Sequence, residues 1–141
     1  MMNKEVTYQI SKVVTDQFAT MSDVEIDERN MSIFAGVNYQ VDSKVYSIRC
    51  FTDFGIMSNG NAFIKISVSV YYFIKPEDWK RFDIKDKQVE IPMSFVKHLA
   101  DLTLATTRGI LHAKTENTSY NKYIMPYLNA DALVKTKVLV S

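Results

Sequence analysis

The sequence has one cysteine in 141 residues, Cys50, so it can hold neither a disulfide framework nor a cysteine-based zinc site. Histidine is almost as scarce, at two residues, and acid–base chemistry would have to rest on carboxylates scattered through loops. No charge of one sign dominates: 17 Lys and Arg against 16 Asp and Glu leave a formal net charge of +1. That balance gives no electrostatic reason to expect nucleic acid or an anionic membrane as a partner. No apolar run approaches the ~18 residues of a membrane-crossing helix. The opening MMNKEVTYQISK carries no apolar stretch of signal-peptide length, and the expectation is a protein of the reducing cytoplasm. Neither a low-complexity linker nor an internal repeat divides the chain, so residues 1–141 read as one domain. The motifs G-x-S-x-G, H-E-x-x-H, G-x-G-x-x-G and the phosphate-binding P-loop do not occur. No enzyme, cofactor or resident metal is expected.

Aromatics are what the chain has in quantity: eight Phe, eight Tyr and one Trp, most of them on strand-like segments. Residues 4–20 are β-branched and aromatic enough for a long first strand, followed by MSIFAGVNYQV, KVYSIRCFTDFGIM and NAFIKISVSVYYFIK. Residues 62–74 alternate, with Ala62, Ile64, Ile66, Val68, Val70, Tyr72 and Ile74 on one face. A two-residue turn at Asp42-Ser43 would pair Val41 with Lys44 and Tyr39 with Tyr46, placing two apolar faces on the same side. At the next turn a three-residue loop, Ser58-Asn59-Gly60, would pair Ile56 with Ala62, with Gly60 as the left-handed residue of a bulged turn.

The apolar face needs a cover, and PMSFVKHLADLTLATTRGIL supplies it. Pro92 suits a first helical turn, and Phe95, Leu99, Leu102 and Ile110 fall near helical spacing. Val96, Ala100 and Leu104 widen the stripe, as for a helix pressed between its own sheet and a second copy. Arg108 and Gly109 read as the stop signal of this helix, with structural roles. HAKTENTSYNK then reads as a polar loop, and IMPYLNADALVKTKVLVS as a short apolar tail with a brief helix from Asn129. The predicted class is α+β: a four-stranded antiparallel sheet, a long N-terminal strand plus a meander, with one long helix on one face and a short C-terminal helix.

Few residues suggest chemistry. Cys50 falls on the core face, as an inert small hydrophobe. His98 and Asp101 lie three apart on the helix without a third ligand, so a surface contact is the preferred reading over a metal site. The charged crossover 75–90 contains Trp79, Phe82 and Ile84, which either tuck back onto the domain or meet a partner. The sheet's second face carries Phe34, Phe51, Phe63, Lys65, Tyr71 and Phe73 among polar neighbours. That face is either wetted or a docking surface, the latter implying a homo-oligomeric adaptor that binds one folded protein.

The order of elements resembles the SecB family of protein-export chaperones over residues 7–134. The marks are Tyr8-Gln9-Ile10 in the first strand, the Val-Tyr and Ala-Phe starts of KVYSIRCFTDF and NAFIKISVSVYYFI, Thr107-Arg108-Gly109 in the helix, and Pro126 with Asn129-Ala130-Asp131-Ala132-Leu133. The resemblance implies a cytoplasmic homotetramer, a dimer of dimers, that holds unfolded polypeptides without ATP or a cofactor. It implies a binding groove drawing on Trp79, Phe82 and Ile84 of the crossover and on Ile124, Met125, Tyr127 and Leu133 near the last helix. In that family acidic residues on the outer sheet dock the export motor SecA. The aligned positions here are Gln17, Met21 and Ile66, so preprotein export and service to one dedicated client, such as an antitoxin, both fit the sequence.

Overall fold

The computed structural model describes residues 6–85, 88–133 and 138–140, with the backbone alone for 83–85, 88–90 and 138–140. Four long strands, β1 (Tyr8–Thr20), β2 (Met31–Asp42), β3 (Ser47–Ser58) and β4 (Asn61–Ile74), form an antiparallel sheet in the order β1-β4-β3-β2. The alternation read from the sequence is the cause of its two-sidedness. Ile64, Ile66, Val68, Val70, Tyr72 and Ile74 point to one side and are all but sealed from solvent, because side chains two apart share a face. The predicted α+β class is the observed one.

The turns differ from the expected ones while the faces survive. Asp42 pairs with Ser47 and Val41 with Ile48, so the first hairpin closes through the four residues Ser43–Tyr46 rather than two. Tyr46 reverses the chain in the left-handed region, at φ 54°. At the second hairpin Ser58 pairs with Asn61, leaving Asn59 (φ 50°) and Gly60 (φ 82°) as the two left-handed residues of a tight turn. The bulge falls two residues later, where Ile56 pairs with Ile64 and Met57 with Ala62. The extra residue is Phe63, which the bulge swings off the outer face. It packs instead on Tyr120 and Tyr123, at centroid distances of 6.3 and 5.1 Å. Each shift preserves parity, which is why apolar residues still meet.

After β4 the chain makes a single helical turn, α1 (Pro76–Trp79), two short strands, β5 (Asp83–Lys85) and β6 (Gln88–Ile91), and the long helix α2 (Met93–Thr115). A 3₁₀ turn at Ser119–Lys122 and a short helix α3 (Ala130–Leu133) follow. A last strand, β7 (Val138–Val140), adds to β6 to make a second, three-stranded antiparallel sheet, which the sequence reading did not anticipate. Asn129 opens α3 as foreseen, its side-chain oxygen accepting the Asp131 N–H at 2.9 Å.

Helix α2 lies on β3 and β4. Leu99, Ala100 and Leu104 fill the interface, and two hydroxyl pairs pin it. Thr107 Oγ1 donates to Thr103 O at 2.8 Å, which leaves Thr52 on β3 to donate to Thr107 Oγ1 at 2.6 Å. One turn earlier Thr103 Oγ1 donates to Leu99 O and receives Tyr72 Oη at 2.9 Å. Back-bonding to the preceding turn satisfies a hydroxyl that would otherwise be stranded in an apolar interface.

One expectation for α2 is corrected. Arg108-Gly109 does not stop it: the helix continues to Thr115, and the left-handed reversal comes at Asn117, φ 64°. Gly109 is an interior, exposed helical residue. A Cβ built on it meets nothing within 4 Å. Of the wide apolar stripe, Val96, Ala100 and Leu104 are buried within one chain, as is Leu111. The chain returning after Thr115 puts the 3₁₀ turn and α3 against α2, and Lys97 Nζ lies 2.9 Å from Asp131.

Two outcomes follow from this seating. Thr107→Val should cost about 1–3 kcal/mol by stranding Thr52, and the double change with Thr52→Val should cost less than the single one. Denaturant melts of the four members of the cycle measure this, and simple additivity would count against the pair. Gly109→Ala should raise stability by about 0.5–1 kcal/mol, as in any helix interior; a loss in the same assay would mean that the helix ends at Arg108.

Candidate functional site

Two of the crossover residues singled out in the sequence, Trp79 and Phe82, are not on the surface. Pro76 opens α1, whose single turn brings Trp79 and Phe82 down onto the helix side of the sheet, each 4% exposed. There they continue a row of aromatic edges. Tyr46 meets Trp79 at 5.9 Å between centroids, Trp79 meets Phe82 at 5.4 Å, and Phe82 meets Phe95 at 6.1 Å. Phe95 in turn meets Tyr8 at 5.7 Å, and Tyr8 touches Tyr72 and His98. Apart from the tilted Phe82–Phe95 pair, the contacts are edge-to-face, the arrangement that aromatic quadrupoles favour. Ile84 belongs to β5, and its side chain lies outside the described residues.

Asp78, which the sequence reading passed over, fastens this segment. It is 3% exposed; its Oδ2 accepts the Thr7 N–H at 2.8 Å and its Oδ1 accepts Arg81 Nη1 at 3.1 Å. Lys75 N–H donates back to Thr7 O at 2.9 Å. The Thr7 N–H, aided by Arg81, holds the Asp78 carboxyl below the usual carboxylate range. An acidic residue in a one-turn helix usually faces water, and nothing local in the sequence marks this one as buried.

Beside the aromatic row the helix side of the sheet is open. Ile10 and Val13 pair with Tyr72 and Val70, which puts them on the helix side, yet they are 50% and 46% exposed. Helix α2 covers β3 and β4 and meets β1 at Tyr8, leaving Ile10 and Val13 open, while Leu102 and Ile110 of the helix are half-buried. Bulges near Ser11 and Asp16 interrupt β1, a free edge of the sheet. The irregular spacing they impose hides these two residues from an alternation test.

The C-terminal candidates separate. Ile124 and Tyr127 are 64% and 75% exposed on an irregular stretch, Met125 is sealed into the core, and Leu133 is half-buried in α3. So the predicted set is not one contiguous surface within the chain. Trp79, Phe82 and Met125 are covered, and Ile124 and Tyr127 are open.

On the outer face, Phe34, Phe51, Lys65, Tyr71 and Phe73 are present as read, and Phe63 is not. Phe34 lies over Gly55, where a Cβ would stand 2.1 Å from its ring. The Arg49 guanidinium sits 4.1 Å from the Phe51 ring and donates to Ser69 and Gln40. Asp16 and Asp53 accept hydrogen bonds from Ser69 and Ser67. Ile66, aligned with an outer position of the SecB pattern, is 1% exposed under the helix. Gln17 is exposed and Met21 half-buried.

Reactive chemistry is subdued. Burial pushes the Cys50 thiol up to about 12 and raises the Tyr39 and Tyr72 phenols. His98 bonds Tyr8 Oη at 2.7 Å through Nε2. Among the described residues no three His, Cys, Asp or Glu side chains are grouped to hold a metal. An open cleft of about 810 Å³ at the end of the second hairpin is lined by Met21, Asp23, Phe34, Met57, Asn61 and Lys65, among others. No described helix is long and apolar enough to cross a membrane.

Asp78 predicts an acid dependence. Its folded-state value is depressed, so its stabilisation is present above the unfolded carboxylate range near pH 4 and is lost as pH falls through the lower folded value. Melts between pH 7 and 3 should decline less steeply for Asp78→Asn than for the native chain; equal slopes would remove Asp78 as a contributor. Compared with known proteins, the chain matches no family model, and no curated protein is similar to it at a significant level.

Proposed function

We propose that this chain is a SecB-like, ATP-independent chaperone that holds non-native polypeptides. One observation carries the reading: on the helix side of the edge strand β1, Ile10 and Val13 stand half in solvent, and Leu102 and Ile110 of the helix are themselves only half-buried. Apolar surface on a free edge strand is a liability unless something binds there. An extended, unfolded segment suits it, since main-chain hydrogen bonds to the edge are independent of sequence and alternate side chains fall on the apolar flank. The order of strands, crossover, long helix and short last helix supports the same reading.

Self-association as a dimer of dimers in the cytoplasm belongs to this proposal, with preprotein export or one dedicated client, such as an antitoxin, as the service. The aligned outer positions favour the dedicated client over the motor SecA. Gln17 is neutral, Met21 is apolar, Ile66 lies under the helix and off the outer face, and the nearby carboxylates Asp16 and Asp53 are engaged with serines.

Light scattering of reduced lysozyme diluted from guanidinium gives the test. The protein should delay aggregation at near-stoichiometric ratio, and no delay with this or any other unfolded client would sink the proposal. Ile10→Lys with Val13→Lys should weaken holding about tenfold or more, since each buried aliphatic is worth about 1.5–3 kcal/mol. Lys65→Glu on the outer face should leave it unchanged. The reverse pattern would favour the adaptor that docks a folded partner on the outer face.

A further inference from the structure

We propose that residues 75–82 form a latch over the aromatic row, and that release of Asp78 from Thr7 lets the latch lift and bare a surface for apolar side chains of a non-native polypeptide. The inference rests on the chaperone reading and adds a moving part to it. The covered surface is made of the inner sides of Trp79 and Phe82 and of the faces of Tyr46 and Phe95 that they touch.

The segment is built as a unit. Trp79 N–H and Asp78 N–H both return to Lys75 O, Arg81 N–H to Asp78 O and Phe82 N–H to Trp79 O. These bonds travel with it when it moves. Among the contacts that fasten it to the sheet on the polar side is the pair of hydrogen bonds with Thr7, Lys75 N–H to Thr7 O and Thr7 N–H to Asp78. Thr7 lies just ahead of β1, at the start of an edge strand that pairs on one side alone and carries a bulge a few residues on. A one-turn helix has little stability of its own, so the segment stays down through its aromatic contacts and this tether.

The ground beneath the latch is held in an uncommon conformation. Tyr46 is a bulky residue with φ 54°, which persists only where neighbours enforce it, and its ring lies against Trp79. Lifting the latch removes that neighbour. The bared surface would also not be isolated, since Tyr8, next to Phe95, stands two residues before Ile10 at the head of the exposed β1 flank. A client already lying on Ile10 and Val13 can extend onto the aromatic row, and its side chains replace the contacts that Trp79 and Phe82 give up.

Trp79 is the only tryptophan, so its fluorescence reports the latch directly. In the full chain without client, acrylamide should quench it weakly. Asp78→Ala should raise the quenching constant several-fold while far-ultraviolet circular dichroism and a cooperative melt are retained. Unchanged quenching in a folded Asp78→Ala variant overturns the latch. Should that variant not fold, hydrogen exchange of the native chain decides: the Trp79 and Phe82 amides should exchange faster than those of Ile66 and Val68, and equal rates overturn it. Unfolded reduced lysozyme is the probe for use: bound to the native chain, it should increase Trp79 quenching. A protein that delays lysozyme aggregation with Trp79 unaffected sinks the latch alone, whereas one that delays nothing sinks the chaperone reading.

Discussion

The structure depends on how α2 is seated on β3 and β4. An apolar helix on an apolar sheet can slide and rotate, because hydrophobic burial is non-directional. Directional bonds remove that freedom. Thr52 reaches Thr107 and Tyr72 reaches Thr103, four residues apart on one helical face. A helix held at two such points has one register and one azimuth on the sheet. Every other relation around the sheet follows from that placement, including which strand is covered and which is left open.

Held there, α2 cannot cover four strands. Its β2 side is closed by the chain's own return, where α3 packs on the helix and on β2. Its β1 side has no such strap among the described residues, and Ile10 and Val13 stay in solvent. The crossover closes the end of the same side, where Trp79 and Phe82 pack on Tyr46 and Phe95 and Asp78 bonds Thr7. The cover of the sheet is thus unequal: one flank strapped, one open, one corner closed by the crossover. The outer face contrasts with it, since its arginine, serines and carboxylates bond one another across the strands.

The polar groups of the helix side are arranged for order rather than chemistry. Tyr39 donates to Val96 O at 2.9 Å and Cys50 lies sealed beside Val70 and Tyr39. Burial makes each of these groups harder to ionise. Tyr39 and Tyr72 hold strands and helix in place, and the exposed residues Ile10 and Val13 beside them on the helix side are apolar.

Much of this fold was legible from residue order, for a physical reason. The period of two in residues 62–74 and the near-helical period after Pro92 are local properties, and burial requires those periods wherever the segments end up. Hence the four strands, the long helix and the apolar face of β4 follow from sequence. Hairpin loop lengths did not, because parity alone satisfies the faces and several lengths give the same parity. Phe63 moved to the helix side through a bulge that pattern cannot locate. Gly109 looked like a helix stop because glycine terminates helices when left-handed, but here Asn117 takes that conformation, eight residues after Gly109 and two after α2 ends. The burial of Asp78, Trp79 and Met125, and the exposure of Ile10, Val13, Ile124 and Tyr127, were decided by tertiary structure. Those depend on which segments from far along the chain arrive to cover them, and no window of neighbouring residues contains that information.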